Sequence, residues 1–349
     1  MTRSKSLVLK QLLALMLGAM SGLLAYRIGL PLPWMLGPML GTTIASMSNA
    51  PVQGPDWLRP FVIPVIGVLL GSGMTAQMLQ DAVSWWPAMV MLIPFLILSA
   101  GLSYTFYRRV GGYDQVTAYF CAMPGGLNDM LILGGAAGGQ EKRIALAHAS
   151  RIFVVVLFVV LFYGFVLGVK ASGAQSGNWT SIGALAPLDW FILAGCAIVG
   201  APLGALVRLP APQILGPMLL SGLSHVTGIV TVSPPSVLVI IAQIVVGTVI
   251  GCRFLGATPR EVGRDIGLAT VSSLLMIGVA IAFAYAVTAA TGTSTSQTFL
   301  AYSPGGLTEM SLLAFAMGQD IAYVTTAHII RITAVILLAA PVFHLIRRR

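Results

Sequence analysis

Charge is what this sequence has least of. Only 8% of its 349 residues are Asp, Glu, Lys or Arg, against about 25% in an ordinary soluble domain. With 57% hydrophobic residues and a mean hydropathy of +0.92, the chain reads as an all-α polytopic membrane protein with the lipid bilayer around it. Cysteine is scarce as well. Cys121, Cys196 and Cys252 are odd in number, lie in apolar segments and show no Cys-x-x-Cys spacing, which excludes a disulfide framework and a cysteine zinc site. Four histidines without a His-x-His pair leave no cluster for a copper or iron oxygenase, so no metal or other cofactor is expected and the chain does not read as an enzyme. The P-loop pattern is missing, which argues against an ATP-driven pump within this chain. No polar stretch is long enough for a DNA-recognition domain, and the basic residues are scattered over short loops. Nucleic acid is therefore not an expected partner.

What is present comes twice. Met123-Pro124-Gly125-Gly126-Leu127-Asn128-Asp129-Met130 matches Ser303-Pro304-Gly305-Gly306-Leu307-Thr308-Glu309-Met310, 180 positions later. A His-x-x-Arg follows each, as His148 with Arg151 and His328 with Arg331. Upstream, Leu36-Gly37-Pro38-Met39 matches Leu215-Gly216-Pro217-Met218, and Gly67-x3-Gly71 matches Gly247-x3-Gly251. The constant order marks an internal duplication. Repeat 1 covers about residues 8–169, a linker about 170–187, and repeat 2 about 188–346. Arg3, Lys5 and Lys10 before an apolar run resemble a signal peptide, but that run has a counterpart in the second half, so it is expected to be a span.

Each repeat offers six apolar segments. In the first they are about 8–26, 31–49, 60–79, 86–107, 115–137 and 144–168, and in the second about 189–207, 212–230, 236–254, 266–288, 297–317 and 321–346. If all twelve crossed, the positive residues would divide ten against seven between the two sides. If each Pro-Gly-Gly segment instead enters and returns by one face, fifteen fall on the side of the N-terminus and only Arg27 and Lys170 on the other. The positive-inside rule favours the second arrangement: two inverted repeats, each with five spans plus one re-entrant Pro-Gly-Gly hairpin, both termini cytoplasmic and the linker outside. A broken helix that does cross is the rival.

Proline and paired glycines cannot continue an ordinary helix. At membrane depth such a break is tolerated only inside protein or beside a water-filled cavity. Helices that restart beyond it present free N–H groups to anions. The expected substrate or ion pathway therefore holds Pro124, Gly125, Gly126, Asn128 and Asp129 with Pro304, Gly305, Gly306, Thr308 and Glu309. A carboxylate at this depth could bind a cation, carry a proton or pair with an arginine. Arg151 and Arg331 are the expected partners, and a proton taken up by Asp129 or Glu309 would free an arginine for a solute. His148 and His328 share a helix face with those arginines and could carry protons or be structural. The paired glycines and the Leu-Gly-Pro-Met stretches read as packing devices.

The duplicated Pro-Gly-Gly-Leu-x-[Asp/Glu]-Met motif, with Leu-Gly-Pro-Met before it and His-x-x-Arg after it, resembles the bacterial membrane AbrB family over nearly the whole chain. The resemblance implies a multi-pass protein of the bacterial inner membrane. It carries two labels, regulator of gene expression and ammonia monooxygenase, and the histidine count speaks against the second. The leading expectation is a secondary transporter of a small, anionic, proton-coupled solute. A membrane regulator or sensor acting indirectly on gene expression is the alternative. Homo-oligomerisation is open.

Overall fold

The computed structural model describes residues 2–30, 32–163, 179–255 and 259–347, and among these it is helical with no strand. Fifteen α-helices follow one another among the described residues: α1 (Thr2–Arg27), α2 (Pro33–Met47), α3 (Arg59–Ser72), α4 (Ala76–Asp81), α5 (Trp86–Arg109), α6 (Gln115–Ala122), α7 (Leu127–Ala136), α8 (Glu141–Leu161), α9 (Pro187–Leu206), α10 (Pro212–Val226), α11 (Ser236–Gly251), α12 (Pro259–Thr291), α13 (Thr295–Tyr302), α14 (Leu307–Ala316) and α15 (Ile321–Arg347). Each expected apolar segment carries a helix, and the two Pro-Gly-Gly segments carry two short helices each. Residues 170–178 of the expected linker lie outside the described residues.

Seven helices among the described residues are long and apolar enough to cross a bilayer: α1, α5, α8, α9, α11, α12 and α15. Three of the ten expected spans are shorter. Helices α2 and α10 have 15 residues and α3 has 14, a rise of about 22 Å against a hydrocarbon core of about 30 Å. Proline sets their starts. Pro33 and Pro212 open α2 and α10, and the residues before them, Leu32 and Ala211, adopt left-handed backbone with φ of 47° and 49°. A helix cannot run back through such a residue. These helices are buried along much of their length, so neighbouring helices cover them in place of lipid.

Two compact units emerge. The first holds Met1–Gln80, Val160–Thr258 and Ser311–Ile321. In it α2 packs on α1 and α11, while α10 packs on α9 and α3. The crossings are reciprocal. A Cβ at Gly67 on α3 would stand 2.5 Å from the Ile214 carbonyl of α10, and one at Gly247 on α11 would press on the Met35 carbonyl of α2. One turn on, Gly71 abuts Met218 of α10 and Gly251 abuts Met39 of α2. The Gly-x3-Gly pair of each repeat thus receives the Leu-Gly-Pro-Met helix of the other, backbone against backbone.

The second unit holds Asp81–Val159, Pro259–Met310 and Ala322–Arg349. Here α5 lies along α12, joined by a 2.6 Å hydrogen bond between the Ser103 and Ser272 hydroxyls. Tyr119 on α6 donates to the Ala339 carbonyl of α15 at 2.8 Å, and Tyr302 on α13 donates to the Ala88 carbonyl of α5. Phe95, Phe283 and Tyr302 form an aromatic cluster. All fourteen residues of the expected pathway fall in this unit.

Candidate functional site

Each Pro-Gly-Gly interrupts a helix. Met123 and Ser303, which end α6 and α13, are extended, at φ −67°, ψ 126° and φ −56°, ψ 133°. Extended backbone is what a following proline requires. Gly126, which precedes α7, is extended too. Gly125, Gly126, Gly305 and Gly306 have no positive φ, so room and not backbone freedom calls for glycine here. A Cβ on Gly125 would meet Val335 of α15 at 2.9 Å, and one on Gly126 would collide with the Asp129 carboxylate. In the second copy a Cβ on Gly305 would meet Met310 at 2.7 Å, and one on Gly306 would collide with the Glu309 carboxylate.

The two ends of the first interrupted segment lie side by side. The Gln140 backbone N–H donates to Thr117 Oγ1 at 2.9 Å, and the Gln140 amide donates to Asp114 Oδ2 at 3.3 Å. Asp114 also caps α6, accepting from the Thr117 N–H at 2.9 Å. Burial works to raise the Asp114 pKa, but the hydrogen bonds from Thr117 outweigh it and hold the carboxyl below its ordinary value.

The break strands backbone carbonyls. In a continuous helix the Phe120 carbonyl would accept from the N–H of residue 124, and the Leu300 carbonyl from that of residue 304. Both positions are proline and have no N–H. The histidines stand in. His148 Nε2 lies 2.9 Å from the Phe120 oxygen and His328 Nε2 lies 3.1 Å from the Leu300 oxygen. The arginines close the rest of the break. Arg151 donates from Nη1 to the Met123 carbonyl at 2.8 Å and from Nη2 to the Gly125 carbonyl at 2.9 Å. Arg331 repeats this with the Ser303 and Gly305 carbonyls, the latter at 2.6 Å. A planar fork is suited to two neighbouring oxygens. Arg151 Nη2 also donates to His148 Nδ1 at 2.8 Å, which makes His148 a neutral Nε2–H tautomer with both ring nitrogens engaged.

The expected partnership is therefore replaced at Arg151. Its terminal nitrogens serve main-chain oxygens and the His148 ring, and among the described residues Asp129 makes no ion pair, in contrast to Asp265 with Arg143 at 3.4 Å and Asp56 with Arg253 at 3.0 Å. The physical reason lies in the ends that a break exposes. The C-terminus of α6 is the negative end of that helix, and Arg151 sits on it. The N-terminus of α7 is a positive end, and Asp129 lies in its first turn. Arg331 with α13 and Glu309 with α14 follow the same plan.

Burial is deep. Arg151 and Arg331 are 5% and 2% exposed, and both histidines are fully buried. Among the described residues, Arg151 Nε, Arg331 Nε and His328 Nδ1 are buried without a hydrogen-bond partner. Pro124, Pro304 and Gly305 are buried, Asp129 and Thr308 are half-buried, and Asn128 is exposed. No cluster of metal ligands occurs among the described residues. Sequence reasoning missed the carbonyl acceptors. The four-residue offset from Phe120 to Pro124 and from Leu300 to Pro304 was the available signal.

Comparison with known proteins gives the family. The family described as "Transition state regulatory protein AbrB" matches residues 34–347. A Bacillus subtilis (strain 168) protein named "Uncharacterized protein YhjN" is 26% identical over 97% of this chain and 94% of its own length. An Escherichia coli (strain K12) protein named "Putative regulator AbrB" is 24% identical over 88% of each. The chain belongs to the AbrB family.

Proposed function

We propose that this member of the AbrB family is a secondary transporter of a small anionic solute, coupled to protons. Its architecture is two inverted repeats, each with five crossings and one re-entrant hairpin. The bond from Gln140 to Thr117 supports the hairpin, because a segment that returns by its entry face must bring its ends together. The reciprocal crossings of α2 with α11 and of α10 with α3 support an exchange relation between the repeats. The distribution of positive residues supports termini on the cytoplasmic side of a bacterial inner membrane.

The observation that carries the transport reading is the pair of buried breaks in one unit. Each joins a helix N-terminus, a carboxylate in its first turn and a deeply buried arginine. Such discontinuous helices serve solute sites in transporters of inverted-repeat build. The arginines hold the breaks open, and the N-termini of α7 and α14 receive the anion. Asp129 and Glu309 already occupy those positive ends, so they compete with the solute. Protonation of either carboxylate removes the internal anion, and a solute anion replaces it. Asn128 and Thr308, one position before the carboxylates, offer an amide and a hydroxyl to the incoming group.

The test is uptake by the full chain in proteoliposomes, screened over small carboxylates and phosphate with and without an inward proton gradient. Gradient-driven uptake is expected, and Asp129→Asn with Glu309→Gln is expected to make it indifferent to the gradient. Unchanged coupling in that double variant would end the mechanism. A membrane regulator is the second reading, favoured by the names of the family and of one relative. It calls for altered transcript levels with no solute flux in any condition.

A further inference from the structure

Along α5, in the second unit, an apolar groove of 280 Å³ and a polar hollow of 390 Å³ lie on either side of Tyr104, which lines both. The groove runs between α5 (Ile97, Gly101) and α15 (Val335, Leu338), and its inner end is the break itself, at Met123 and Pro124. The hollow is edged by Arg108 and Arg109, both exposed. Ile97, Gly101, Tyr104 and Arg108 follow at helical spacing, so groove and hollow share one face of α5. From Ile97 to Arg108 the helix rises about 16 Å, close to the thickness of one leaflet of a hydrocarbon core of about 30 Å.

The charges at this end are not equivalent. Arg143 is taken by Asp265 at 3.4 Å and lies over the Tyr113 ring at 4.7 Å. Arg264 donates to the Gly111 carbonyl at 3.1 Å. Arg108 gives one nitrogen to the Tyr113 carbonyl at 2.7 Å, which fixes the guanidinium at the rim with donors to spare. The Arg109 side chain has no hydrogen bond or ion pair among the described residues. A two-arginine hollow beside an apolar groove, the two together about one leaflet in length, matches an amphiphile with an anionic head and a long chain.

We propose that this groove is a binding site for one anionic phospholipid. The phosphate rests on Arg108 and Arg109, and one acyl chain lies along α5 and α15 until it meets Met123 and Pro124. The lipid then forms part of the wall against which the first break is held. Clustered basic side chains at the membrane surface attract anionic lipid heads. The assignment rests on the membrane character of the chain and not on transport.

The experiment is native mass spectrometry of the full chain released from bilayers of equal phosphatidylglycerol and phosphatidylethanolamine. One phosphatidylglycerol per chain is expected to stay bound in preference. R108Q/R109Q should lower that preference by about thirtyfold, the loss of two charges at the membrane surface, while R108K/R109K and the distant R27Q should keep it. Gly101→Leu should expel the acyl chain and lower retention without touching the arginines, because the space beside Gly101 is open and the fold has nothing to clash with. Inorganic phosphate should not displace the lipid. Equal retention of both lipids, retention unchanged in R108Q/R109Q or in Gly101→Leu, displacement by phosphate, or a lipid-independent dimer would each overturn the proposal.

Discussion

Pro124 deletes the N–H that the Phe120 carbonyl would use, and His148 supplies another from α8. That substitution turns His-x-x-Arg from a reactive motif into a clamp on a broken backbone. Leaving a buried carbonyl unsatisfied costs about 1–3 kcal/mol. Arg151→Lys and Arg331→Lys keep the charge but lose the fork, so each is expected to lower the thermal midpoint of the detergent-purified protein by several degrees. Asp129→Asn should leave the midpoint nearly unchanged, because Arg151 does not depend on that carboxylate. Equal destabilisation by Asp129→Asn and Arg151→Lys would refute the clamp. The motif was legible in the sequence as a repeated His and Arg beside a repeated Asp or Glu. Its partners were not, because a carbonyl acceptor has no side chain to announce it and opposite charges suggest a pair by default.

At the scale of elements, the breaks were legible because proline and two glycines leave helix no way to continue. The shortness of α2, α3 and α10 was not. The apolar run of α2 begins before Leu32, where the backbone turns left-handed, and that of α10 continues past Val226, where the helix ends; hydropathy does not register a backbone turn. The path of the α6–α7 segment also needed coordinates, since 8 and 10 helical residues could be stacked to cross or folded to return. Thr117 and Gln140 decide that their ends meet. Cysteine placed at Val110, before the segment, and at Glu141, after it, is therefore expected to react with an impermeant maleimide from the same side of the membrane. Both sites are exposed, while native Cys121, Cys196 and Cys252 are buried and should stay silent. Labelling from opposite sides would mean that the segment crosses, and the inverted-repeat scheme would fall with it.

For the molecule as a whole, the duplication predicts symmetry of consequence as well as of sequence. The glycine pairs and the Leu-Gly-Pro-Met stretches were each legible as packing devices, but not the exchange of partners between copies, by which α3 receives α10 and α11 receives α2 in the first unit. At Gly67 and at Gly247 the obstacle to a side chain is a main-chain carbonyl of the opposite copy, from Ile214 and Met35 respectively. A backbone atom inside a helix cannot swing aside as a side-chain end can, so overpacking there should cost at least the usual 1–3 kcal/mol or so. Gly67→Leu and Gly247→Leu are expected to lower the unfolding midpoint by similar amounts, since each forces apart an equivalent crossing. Gly195→Ala on α9, in the same unit, meets open space and should be neutral or stabilising by up to about 1 kcal/mol, the helix propensity gained. Thermal unfolding of the three variants in one detergent separates the cases. A tolerated Gly67→Leu beside a damaging Gly247→Leu would show that the crossings are not equivalent. The two copies would then share a sequence pattern without sharing a structural role.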